Sequence, residues 1–424
     1  MNRTRWVFVL IVGAALAVVA AGVLVPLLRE DNGDGDAGAS GETIEVRVLT
    51  ALPVEPWVRA AADQFNAEEH TIEGHPIRVT VVPMDGLSAL SKWDREEFPL
   101  LGDRDRDSLT EDELQRLADF PTVWIPDSRY LVELVNAAYK EKLGRDVFLT
   151  DGEYRARPVA TSLLAWGIFE SRTKVLEDAF GEISWQAIHD AASAEGGWPQ
   201  IAEQAGLEDP DSLNPWGFFK LAIPHPRKNA GGMHAIIAAA GEYYDSPRID
   251  VADLTNDDFL KWLEEALLSV TDFSAASQPG ENLALFGYTT GDVAQLLEAD
   301  ILVNMAGIQT RAPESFLIRY PRYVTWFDFP FTVWMGPETT ALEKNAALEF
   351  EQFLLSKETQ EQALNYGLRP VHPEVPVDSP DSLFTRWQDQ GATTFVERTT
   401  AMRSPDRDVL LALLAWFDRY DARR

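Results

Sequence analysis

The sequence predicts a two-lobed α/β body carried behind one N-terminal membrane-crossing helix. Three observations predict it. Trp6 to Leu28 is a single uncharged apolar run; segments of strand pattern are followed repeatedly by segments of helix pattern; and the chain after the run is too long for one core. Strands alternating with helices imply a largely parallel sheet covered on both faces. A single hydrophobic core stops growing at about 250–300 residues, so two lobes are expected.

The apolar run comes first. At about 1.5 Å of rise per residue it spans roughly 34 Å, enough for a hydrocarbon core of about 30 Å. Arg3 and Arg5 precede it and only Arg29 follows before an acidic stretch. The positive-inside rule therefore makes residues 1–5 a cytoplasmic stub, 6–28 the span, and everything after it extracytoplasmic. Secretory signals have apolar cores of about 7–15 residues, which favours an uncleaved, single-pass cell-membrane anchor. The alternative is a long signal cut in the alanine-rich Ala14–Ala21 stretch, and either way the body is exported.

Residues 29–42 read as a flexible acidic tether, with four glycines, five acids and almost nothing to bury. The run Asp31-Asn32-Gly33-Asp34-Gly35-Asp36 lacks the later ligands of a calcium loop. The run Asp103–Asp107 puts Ser108 where the turn glycine belongs and Leu114 where the bidentate glutamate belongs, so both read as solvated loops. With no cysteine, a disulfide framework, a thiolate metal site and a cysteine nucleophile are excluded. A net charge of −31 argues against nucleic acid as a partner, since that binding needs clustered Lys and Arg.

The body then unfolds element by element. Ile44, Val46 and Val48 alternate with polar residues as a strand ending at Thr50-Ala51-Leu52-Pro53. Val58, Ala61, Ala62 and Phe65 fall at helical spacing. Ile77–Val82 is the next strand, and 120–126 is a short buried one, with Ser128 placed to cap a helix carrying Leu131, Leu134 and Val135. Arg157–Phe169 is an apolar stretch containing Thr161 and Ser162. Trp216–Ile223 is a strand candidate, and His225–Gly232 opens an alanine-rich helix from Met233 to about Tyr244. A glycine pair at such a turn lets backbone N–H groups approach a ligand at the positive end of the helix dipole, a place for an oxyanion or a sugar hydroxyl.

Six segments, in order, carry a resemblance. Phe120-Pro121-Thr122-Val123-Trp124-Ile125-Pro126-Asp127-Ser128, Pro158–Ser162, Pro226–Met233, Tyr288-Thr289-Thr290, Tyr320-Pro321 with Asp328–Phe331, and Gly367-Leu368-Arg369-Pro370 resemble the motifs of extracytoplasmic solute-binding proteins of ABC importers. The resemblance spans roughly 43–424 and implies the type II periplasmic-binding-protein fold. That fold has two α/β lobes joined by two crossover strands and closing on a solute. The implied lobes are 43–160 plus 326–424, and 161–325. Departures are Thr122 for the usual Asp, Asn229 and Gly231 where serines are common, and a first loop poor in hydroxyls.

By position, the resemblance implies a neutral donor set of Thr50, Thr161, Ser162, Asn229, Gly231, Gly232, Thr289 and Thr290, though each hydroxyl also fits a cap or turn. Trp57 and Trp124 have faces that suit a sugar ring, and Tyr320 and Trp326 lie near the implied hinge; large aromatics are more often core. The implied ligand is a small polar or oxyanionic solute, and the implied partner is an ABC permease. No cofactor, metal or catalytic residue is expected. The six histidines have no zinc spacing, no nucleophile elbow, phosphate loop or dinucleotide fingerprint occurs, and 68 acids single out no glycosidase pair. A secreted hydrolase is thus disfavoured, and a membrane-tethered sensor or assembly factor on the same fold is the alternative.

Overall fold

The computed structural model describes residues 41–98, 100, 101, 104, 108–274 and 278–424. The apolar run 6–28, the tether as far as Ser40 and most of the 103–107 run lie outside the described residues. Among the described residues no helix is long and apolar enough to cross a membrane. Residues Glu42–Arg424 form one compact unit with its own core.

That unit is built on two large sheets and a small two-stranded one. β1 (Ile44–Thr50), β2 (Thr71–Ile72), β3 (His75–Pro83), β4 (Val123–Ile125) and β5 (Arg157–Pro158) come first in the chain. β6 (Ala160–Phe169), β7 (Leu221–Ala222), β8 (Val293–Leu297), β9 (Phe316–Arg319), β10 (Tyr323–Val324) and β11 (Trp326–Phe327) follow. β12 (Pro330–Val333), β13 (Arg369–Pro370) and β14 (Thr400–Ala401) complete the set. The first sheet runs β2-β3-β1-β4-β12-β5, and the second β11-β6-β8-β7, with β9 and β13 also on β6.

The expected parallel pairing holds for β3-β1-β4 and for β7 with β8. It fails around β6, whose partners β8, β9, β11 and β13 are all antiparallel. β6 is a long, buried central strand, and the helix Glu298–Arg311 links β8 to β9, which both run opposite to β6. The strand expected over Trp216–Ile223 shrinks to Leu221–Ala222, because Pro210–Trp216 is a 3-10 helix broken by Gly217 at φ 69°.

The chain passes between the sheets at Val159 and returns at Asp328–Phe329. These passages lie side by side: the Val159 amide donates to the Phe329 carbonyl at 3.2 Å. Phe329 has φ 31°, an uncommon conformation for a side chain of that size, so the return is a strained point. A third passage was not foreseen. After helix Lys357–Ala363, β13 pairs with the start of β6, and β14 pairs with β10. Leu364, Val375, Phe384 and Ala392 then pack with Leu163, Phe169 and Phe316, on the second sheet. The last helix, Arg407–Asp421, bridges both sides, with Arg407 on Asp94 at 3.1 Å and Arg227 on Asp418 at 3.4 Å.

The helix Glu55–Ala67 buries Val58, Ala61, Ala62 and Phe65, the face its periodicity picks out. Aromatic rings fill the first sheet's core. Trp93 stacks on Trp334 at 5.0 Å, and Phe120, Tyr139 and Phe148 pack edge-on around them. Burying each such ring contributes about 1.5–3 kcal/mol by area alone.

Candidate functional site

Strand-end loops from both sheets meet over one cavity of about 410 Å³. Leu52, Pro53 and Glu55 enter from the loop after β1, Pro224, Asn229 and Gly231 from the turn after β7, and Ala299, Asp300 and Asn304 from the helix after β8. Gln278, Glu281 and Tyr366 close the remaining side. Open α/β sheets place ligands at such strand ends. Loops occur here because Pro53 and Pro224 stop the strands and supply no amide for a ladder.

The lining is acidic. Glu55, Glu281 and Asp300 line it, and among the described residues no Lys, Arg or His does. Glu55 is engaged by Arg59 one turn on. Burial, reinforced by the Glu281 charge, pushes the Asp300 carboxyl up to about 6, while the Asn304 amide, donating to Oδ1 at 2.9 Å, opposes that shift.

Beside the cavity lies a buried polar seam. Asp85 caps the helix Gly86–Asp94, its Oδ1 accepting from the amides of Leu87 (2.9 Å) and Ser88 (3.4 Å). Its Oδ2 accepts from the Ala230 amide at 3.2 Å, the first residue of the helix Ala230–Tyr243. Asp127, fully enclosed, accepts from the Gly86 amide at 3.1 Å. The Tyr130 hydroxyl and His234 Nε2 share a hydrogen bond of 2.5 Å. Burial raises Asp85 to about 6; burial and then the Asp85 charge raise Asp127 well above the carboxylate range. Burial alone holds His234 down to about 3.

The seam narrows the oxyanion reading of the 229–232 turn. Asn229 Oδ1 accepts from the Gly231 amide at 2.8 Å and Asp85 Oδ2 takes the Ala230 amide, so the first two amides of that helix already have acceptors within the protein. Gly232 serves packing: a Cβ there would stand 2.1 Å from the Pro224 carbonyl oxygen.

The other expected residues divide. Asn229 and Gly231 line the cavity. Thr50 is fully buried just before its first loop, with no hydrogen-bond partner for its hydroxyl. Trp57 is fully buried, its Nε1 donating to the Thr359 carbonyl at 3.0 Å, and Trp124 is buried beside Trp93; neither offers a face. The Ser162 hydroxyl accepts from the Ala299 amide at 3.2 Å, supporting the helix after β8, and Thr161 lies against the Arg369 carbonyl.

Thr289 lines a separate, wide opening with Arg172, Trp216 and Tyr288, and the Thr290 carbonyl is taken by the Thr271 hydroxyl. The Tyr320 hydroxyl donates to Glu298, which Arg369 grips with two bonds of 2.7 and 2.8 Å. Trp326 is 39% exposed and pairs with Leu163. Sequence reasoning missed Asp85, Asp127, Glu281 and Asp300. An Asp just ahead of a helix is a readable cap signal, but 68 acids hid it.

A two-sheet α/β body with its cavity at the junction is the architecture of the type II periplasmic-binding-protein fold, the fold of ABC-transporter substrate-binding proteins. Solved structures agree. An ABC transporter structure from Clostridium perfringens superposes with a TM-score of 0.52 at 14% identity, covering 89% of this chain and 99% of that one. The maltose-bound MalE3 of T. maritima gives 0.51 at 11% identity, covering 90% and 93%. At these identities the likeness is one of fold. No family model matches the chain, and no curated protein matches it in sequence.

Proposed function

We propose that this chain is an extracytoplasmic solute-binding protein, tethered to the cell membrane by Trp6–Leu28, that captures a small polar molecule between two lobes and hands it to an ABC permease. The observation that carries the reading is a cavity lined by strand-end loops of both sheets. The lobes hinge at Val159 and Asp328–Phe329, and a solute touching both sides favours the closed arrangement through its differential affinity. The lining narrows the solute. Three carboxylates, of which Glu55 pairs with Arg59 outside the lining, disfavour an oxyanion and favour a neutral polyol or a cationic organic molecule. The protein performs no chemistry of its own in this reading.

The test is a thermal-shift screen of Glu42–Arg424 against sugars, amino acids, organic cations and oxyanions. A ligand at 100 times its Kd adds about 2.7 kcal/mol of stability, a shift of a few degrees. A hit among polyols or cations that weakens at least tenfold in Asp300→Asn supports the reading. Silence across the panel favours the tethered sensor or assembly factor.

A further inference from the structure

The chain holds 68 acids against 37 bases, yet one pocket of about 360 Å³ is ringed by cations. Lys92 and Arg95 reach it from the helix Gly86–Asp94, Arg227 and Lys228 from the turn before Ala230, and Arg407 from the C-terminal helix. Among the described residues Asp94 is the one carboxylate on its wall, paired with Arg407 at 3.1 Å. Lys92 and Arg95 share Glu97, and Arg227 faces Asp418 at 3.4 Å. Among the described residues no carboxylate lies within ion-pair distance of Lys228. Positive charge remains in excess even when the outlying Glu97 and Asp418 are included.

The floor is apolar. Leu87, Leu90, Leu134 and Leu414 are almost entirely buried beneath it, while Leu411 at the lip is 47% exposed. Ser88 and Ser91 also line the pocket. Cations above leucines match a molecule with one anionic head and an apolar body. We propose that this pocket binds a small organic anion of that kind, a phosphate or carboxylate monoanion or dianion carrying a hydrocarbon or aromatic portion. The site is separate from the cleft cavity and does not depend on its ligand. It spans the same two elements that Asp85 and Ala230 join, so a bound head between Lys228 and Lys92 or Arg95 ties them a second time.

Calorimetry at low salt on the Glu42–Arg424 body tests this with three probes: n-hexyl phosphate, inorganic phosphate and n-hexanol. Hexyl phosphate should bind saturably, one to one, and at least tenfold more tightly than either fragment. The affinity should drop at least tenfold in Lys228→Gln/Arg95→Gln, two exposed positions whose change leaves the melting curve in place, and again in Leu411→Ser. Absence of saturable heat, equal binding of inorganic phosphate, or unchanged affinity in both variants would overturn the proposal. Added salt should weaken the interaction, since the rim charges are partly solvated.

Discussion

The Asp85 Oδ2 lies 3.2 Å from the Ala230 amide nitrogen, joining positions 145 residues apart at the starts of two helices. The same carboxylate caps its own helix through Oδ1. Two helix N-termini favour its charge, whereas burial beside Asp127 opposes it. Asp85→Ala removes a cap and a cross-helix bond together and should cost about 1–3 kcal/mol in urea unfolding. Asp85→Asn keeps one of the two acceptor oxygens and removes the repulsion but sets an NH2 against the other amide, so its cost should fall below that of Asp85→Ala without vanishing.

Acidification should stabilise the body. Burial raises Asp85 and Asp300 to about 6, and Glu242 and Glu351 to about 7. Between the ordinary carboxylate pKa of about 4 and those values, the folded state binds protons that the unfolded state releases. Stability therefore falls as pH rises through that window. His234, held at about 3, and His225, also lowered by burial, act in the opposite sense below about 6.5, where only the unfolded chain gains their protons. The carboxyls outnumber them, so Tm at pH 5.5 should exceed Tm at pH 8 by a few degrees. An Asp85→Asn/Asp300→Asn variant should flatten the profile.

Trp57 separates a core role from a ligand platform. Trp57→Ala should cost about 3–5 kcal/mol by emptying a fully buried site and leaving the Thr359 carbonyl without its donor. A shallower variant, Trp57→Phe, should lose stability and keep solute affinity. An affinity loss at full stability would return the ring to the cleft.

The Glu298–Arg369 pair fastens β13 to the helix after β8, with Tyr320 as third member. Arg369→Ala leaves a buried carboxylate uncompensated and should cost about 3–5 kcal/mol. The double change Glu298→Gln/Arg369→Met should recover part of that loss, measured by the same denaturant titration.

Two glycines and two polar residues from the expected donor set should behave unequally. Gly232→Ala meets the Pro224 backbone at 2.1 Å and should be severely destabilising, whereas Gly231→Ala meets the Asn229 side chain at 2.9 Å, which can move aside. Asn229→Ala should lose about 1 kcal/mol of capping and weaken solute binding, while Thr290→Ala leaves affinity unchanged. Calorimetry on the two threonine and asparagine variants reads this directly.

Much of the architecture was legible along the chain, because period-two and helical patterns report which face is buried. Ile44, Val46 and Val48 and the Glu55–Ala67 helix stand where their patterning puts them. Trp216–Ile223 misled because apolar density without alternation does not separate a strand from packed loop and 3-10 turns. Of the cavity lining, Asn229 and Gly231 were readable from a turn ahead of a helix. Asp300 and Glu281 were not, since nothing in their spacing distinguishes a cavity wall from a solvated surface.

What the chain's order of residues settled is local: strand, helix, turn, and the apolar run at its start. What folding alone settled is which groups meet. Asp85 and Ala230, Ser162 and Ala299, and Glu298 and Arg369 are partners across 71 to 145 residues of chain. Their pairing depends on how two sheets dock, and that docking also decides which hydroxyls remain free for a solute. Side chains suited by type to bind a ligand were drawn into the frame, because a buried donor or acceptor left without a partner costs about 1–3 kcal/mol.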